Sequence, residues 1–196
     1  MKAFTTIAAL LPLLAAAGPL KRQDTTTTPP FTVVAVRSGS PIQYLTLEAR
    51  EGKFWLGGNP GTYCPETITS CPPGNETVIA GINGLDVAVP GGQRIYAAPS
   101  GELGFTQAHS ASIPAGAATG PFEYEHDGAI AKWSFSGLGA NGFVACPIGE
   151  GSSTQWQVYA NVPNLQAPNG NANACLGFDT IAETWTGTGA AAWEYI

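Results

Sequence analysis

Past residue 22, no stretch of the chain repeats its apolar residues at the three-and-four interval of a helix. Short runs recur instead, many alternating apolar with polar residues, and glycine-containing pairs cut them apart. Residues 31–37 (FTVVAVR) are rich in β-branched side chains and read as a buried strand. Residues 43–49 (QYLTLEA) alternate, as do 122–127 (FEYEHD), which set Phe122, Tyr124 and His126 against Glu123, Glu125 and Asp127. Residues 132–136 (KWSFS) place Trp133 and Phe135 on one face, and 155–161 (QWQVYAN) group Trp156, Val158 and Ala160. Asn83-Gly84, Ser100-Gly101 and Asp127-Gly128 lie between such runs and supply the positive φ of tight hairpin turns. With 25 Gly, 16 Pro and only 11% charged residues, the chain suits many short strands and turns. The expected fold is all-β: one β-sandwich or closed β-barrel over residues 31–196. A β-trefoil is the alternative, although no threefold repeat is visible.

The N-terminus reads as an export segment. Met1-Lys2 is a short positive start, and residues 7–20 (IAALLPLLAAAGPL) form an apolar run below the roughly 20 residues that a membrane span needs. Ala15, Ala16, Ala17 and Gly18 offer the small residues of a signal-peptidase site. Lys21-Arg22 is a dibasic trimming site, which would leave Gln23 first and able to cyclise. Residues 23–30 (QDTTTTPP) form a linker whose threonines suit O-linked sugar. No later run is long and apolar enough to span a bilayer, and residues 190–196 lack the pattern of a lipid-anchor signal. Beyond Arg22, five basic residues face fourteen acidic ones, a net charge of −9. That disfavours nucleic acid or anionic membrane as partners.

Four cysteines in an exported chain suggest two disulfides. Three pairings are open. The favoured one joins Cys64 to Cys71, closing a tight loop, and Cys146 to Cys175, tying distant segments. The absence of C-x-x-C and the presence of only two histidines argue against a metal site, and no motif asks for a cofactor.

Chemistry is sparse. His109 sits beside Ser110 and Ser112, but neighbours on a strand point to opposite faces, so a polar structural role is the reading. Glu123 and Glu125 share a strand face in the manner of paired glycosidase carboxylates, but a solvated face is the plainer account. Asp86, Asp179 and Glu183 lie among apolar neighbours and are expected to be partly buried. Trp133 and Trp156 belong to the core. Trp55, Trp185 and Trp193 are the candidates for stacking against a sugar. Asn75-Glu76-Thr77 is an N-glycosylation acceptor in a Pro/Gly-rich loop, while Asn173-Ala174-Cys175 is a weaker one.

Several stretches together carry a family likeness: VRSGSPIQYL (36–45), KFWLGG (53–58), VPGGQRIY (89–96), FTQAHSASIP (105–114), GFVACP (142–147), QVYAN (157–161), CLGFD (175–179) and AAWEY (191–195). From about Phe31 onward the chain resembles the fungal secreted proteins labelled IgE-binding protein, related to cell-wall proteins of the PhiA type. The resemblance implies a filamentous fungal source, an extracellular or cell-wall location, a link to spore-bearing cells and recognition by host IgE. It brings no catalytic residues. The expected function is therefore a non-enzymatic wall or surface protein, with wall polysaccharide as a partner. The alternatives are a carbohydrate-binding module using exposed aromatics, a carboxylate-based glycoside hydrolase, and a host-directed effector.

Overall fold

The structure, a computed structural model, describes residues 28–127 and 129–196; the export segment, Lys21-Arg22 and most of the linker lie outside the described residues. The chain is all-β. In order come β1 (Phe31–Val36), β2 (Leu47–Arg50), β3 (Lys53–Leu56), β4 (Thr62–Tyr63), β5 (Ile79–Ala80), β6 (Gly84–Leu85) and β7 (Gln93–Ala97). There follow β8 (Leu103–Phe105), β9 (Phe122–Asp127), β10 (Ile130–Phe135), β11 (Phe143–Ile148), β12 (Gln155–Ala160), β13 (Leu176–Thr184) and β14 (Glu194–Tyr195). Among the described residues the only helical pieces are three-residue 3₁₀ turns, and no helix is long and apolar enough to cross a membrane.

Hydrogen bonding runs from β1 through β5, β6, β7, β8, β3, β12 and β11 to β13, and β13 pairs again with β1, closing the circuit. Every pairing between named strands is antiparallel. The long strand β13 makes closure possible. Leu176–Phe178 pair with β11, Asp179–Thr184 pair with β1, and Ala182 also meets Ala131 of β10. The hairpin of β9 and β10 branches off there, leaving β9 as an edge strand. Its outward Glu123 and Glu125 put like charge on that edge, which discourages pairing with another chain.

Alternation sets the core. Phe31, Val33 and Ala35 of β1 point inward while Thr32, Val34 and Val36 stay half-exposed. Trp133 is 1% exposed, between Phe122 (ring centroids 5.2 Å apart) and Phe143 (4.9 Å), and its Nε1–H donates to the Ile82 carbonyl at 2.9 Å. An indole buried this way contributes both area and a satisfied polar atom. Both favoured disulfides are present. Cys64–Cys71 staples an exposed loop, and Cys146–Cys175 packs with Val144 and Tyr159 in a second, smaller cluster.

Four local expectations are corrected. The run 43–49 does not begin as strand. Gln43 N–H bonds the Ser40 carbonyl and Tyr44 N–H the Ala35 carbonyl, folding a tight turn that leaves Tyr44 at φ +62° and 69% exposed. The hairpin at Asn83-Gly84 forms, but Ala80 pairs with Gly84, so Gly81 (φ +64°) takes the positive φ. Asn83 is held elsewhere, its Nδ2 donating to the Thr119 carbonyl. Trp156 is half-buried rather than wholly core, and Asp179 and Glu183 are exposed, because both acids fall on the outer side of β13.

Candidate functional site

The segments meeting where β13 changes partners form an open cleft of about 690 Å³. Its lining comes from the end of β1 (Arg37), the β9–β10 hairpin (Glu123, Ser134, Ser136), the approach to β11 (Asn141), the end of β12 (Asn161) and β13 itself (Phe178, Asp179). Arg37 is anchored by Nη1 donating to the Gly177 carbonyl at 2.6 Å. Glu123 accepts from Ser136 Oγ at 3.3 Å, and Asn161 Nδ2 donates to the Asn141 carbonyl at 3.3 Å. Phe178 is half-buried with its ring stacked toward Phe143, centroids 6.2 Å apart. Arg37, Glu123, Asn141 and Asp179 are exposed. The cleft thus combines an aromatic edge with amides, hydroxyls and charges of both signs, and its polar groups keep hydrogen-bonding capacity for a ligand.

Glu123 and Asp179 stand out in the sequence, though not as members of one cleft; Arg37, Asn141, Asn161 and Phe178 lack a local functional pattern, and the lining arrives from segments as far apart as Arg37 and Asp179. The sequence candidates disperse. Trp55 is 5% exposed, its Nε1–H donating to the Arg50 carbonyl at 3.2 Å and the Arg50 guanidinium 4.8 Å above its ring, which removes it from any stacking surface. Trp185 and Trp193 are half-buried. Trp185 lines a groove of about 440 Å³, shared with Asn75, Glu76 and Glu183. His109 sits not on a strand but in a turn at φ +59°, lining a hollow with Glu51 and Glu194, while Ser110 faces a different depression. Glu125 stands opposite Lys132 across the hairpin and away from the cleft. Among the described residues no three His, Cys, Asp or Glu side chains are placed to hold a metal ion.

A second polar group, invisible in the sequence, lies inside. Glu48 is buried, accepting from Thr46 Oγ1 (2.6 Å) and Thr77 Oγ1 (3.0 Å). Burial raises its pKa, against the pull of those hydroxyls and Arg50. Gln93 clamps the C-terminal strand: Oε1 accepts from Tyr195 N–H, and Nε2 donates to the carbonyls of Tyr195 and Thr106. Tyr195 Oη donates to the Glu76 carbonyl and accepts from Val78 N–H, and its burial raises its pKa. Asp86 is half-buried, its pKa raised by burial against a hydrogen bond from the Ala191 backbone.

Residues 31–196 match the family described as PhiA-like secreted protein. A protein of Arthroderma benhamiae described as "Uncharacterized secreted protein" is 44% identical over 200 residues, covering the whole of both chains. No solved structure matches. An all-β domain stapled by two disulfides and matched along its folded length is therefore a member of the PhiA-like secreted protein family.

Proposed function

We propose that this protein acts at the wall or surface of the fungus that secretes it, holding a neutral wall polysaccharide in the cleft of Arg37, Glu123, Asn161, Phe178 and Asp179 without turning it over. The observation that supports this is the cleft's mixed lining. Planar amides, a guanidinium and carboxylates match the paired hydroxyls of a sugar, and a half-exposed ring offers its surface to a pyranose C–H face. A polyanionic ligand would meet the strongly acidic chain instead. The test is retention on purified glucan, chitin and mannan. Wild type should bind at least one, and Phe178→Ala should bind about tenfold more weakly, about 1.4 kcal/mol. Failure to bind any of the three sinks the wall reading.

Glu123 and Asp179 share this cleft, so a carboxylate-based glycan hydrolase is the second reading. It requires release of reducing ends that Glu123→Gln and Asp179→Asn both abolish. Recognition by host IgE and a part in spore-cell development are finer proposals. Serum IgE binding to the folded, deglycosylated protein checks the first, and spore formation in a deletion strain the second.

A further inference from the structure

Within the Asn75-Glu76-Thr77 triplet the fold holds Glu76 and Thr77 and leaves Asn75 exposed. The Thr77 side chain is buried, donating to Glu48 and accepting from Ala49 N–H at 2.8 Å. The Glu76 carbonyl accepts from Tyr195 Oη at 2.7 Å, and its carboxylate accepts from Trp185 Nε1–H at 3.0 Å. Asn75 itself is exposed and opens onto the groove that Trp185 lines. The indole is pinned twice, because a Cβ at Gly187 would overlap its six-membered ring; only glycine lets the backbone lie there. The result is a rigid aromatic beside an acceptor asparagine, with Thr32 and Thr184 adding hydroxyl-bearing side chains.

We infer that Asn75 carries an N-linked glycan whose first N-acetylglucosamine docks in this groove against Trp185, making the sugar part of the folded domain. In the attachment step Asn75 Nδ2 bonds to the anomeric carbon of an oligosaccharide carried on a lipid diphosphate. The bond from that carbon to the phosphate oxygen breaks, the lipid diphosphate leaves, and one amide proton is released. The motif's hydroxyl is Thr77 Oγ1, which the fold buries, so attachment precedes its burial. Once in place, the sugar covers Trp185 and withdraws it from any external ligand. This goes beyond the cleft reading and does not depend on it.

The test uses the full chain secreted from a eukaryotic host, in three forms: intact, enzymatically trimmed to a single N-acetylglucosamine, and Asn75→Gln. Intact and trimmed forms should both carry sugar on Asn75 by mass and melt about 2–4 °C above Asn75→Gln. In a Trp185→Ala background that increment should vanish. An unmodified Asn75, or an equal increment with and without the indole, overturns the inference. If Trp185→Ala is not secreted, the Trp185 indole N–H resonance serves. It should shift between the trimmed form and Asn75→Gln, and an unchanged signal overturns the docking.

Discussion

The polar groups under the C-terminal strand and those of the open cleft differ in how many of their hydrogen bonds the protein makes for itself. Gln93, Thr77, Glu48 and Tyr195 are buried, and each bonds to backbone or to its neighbours. Arg37, Glu123 and Asp179 are exposed; Arg37 and Glu123 make single anchoring bonds and otherwise face solvent. Buried and fully partnered groups hold elements together, since losing one strands its partners without water. Exposed and partly partnered groups are oriented but still free to bind. Polarity alone does not separate architecture from site; burial and partner count do.

The sharpest way to break this comparison is Gln93→Ala. It removes the partners of the Tyr195 N–H and of two carbonyls, and should cost about 3–5 kcal/mol by urea unfolding. A loss below about 1 kcal/mol would show that the clamp is not structural. Next come the disulfides. Replacing both Cys146 and Cys175 by alanine opens a loop with a sequence separation of 29 and should cost about 3–4 kcal/mol. The same change at Cys64 and Cys71, separation 7, should cost about 2 kcal/mol, read by the same unfolding curves.

Acidity gives an intermediate test. Glu48 holds its proton more tightly folded than unfolded, so its contribution is complete below its ordinary value of 4.5 and is lost as pH rises through its higher folded value. The melting temperature should therefore drop as pH rises through that window, and Glu48→Gln should flatten the drop. Tyr159, pushed up to about 12 by burial and by Glu102, and Tyr195, raised by burial, follow the same sign. Stability should fall as pH climbs from 10 through 12, less steeply in Tyr195→Phe. The smallest effect on stability belongs to the cleft. Asp179→Asn should stay within about 0.5 kcal/mol of wild type while weakening polysaccharide retention about tenfold. A large loss of stability there would erase the contrast.

Much of the fold was legible. Alternation placed Trp133 and Phe135 inside, β-branched content marked the strand that begins at Phe31, and the pairs at Ser100-Gly101 and Asp127-Gly128 marked real hairpins, because side-chain period and turn chemistry are local. Tyr44 and Asn83 were misread because their backbones answer to Ala35 and Ile95, not to their neighbours in sequence. The site was far less legible. Trp55 looked like a platform and lies under Arg50, whereas Arg37, Asn161 and Phe178 carried no motif and meet only in space.

By itself the sequence determined the all-β class and the family likeness, since each rests on local pattern; it left three cysteine pairings open, and the fold chose between them. The tertiary structure alone decided which polar groups are buried and which are open. That choice depends on closing β13 onto β1 across some 145 residues, and no local interaction encodes it.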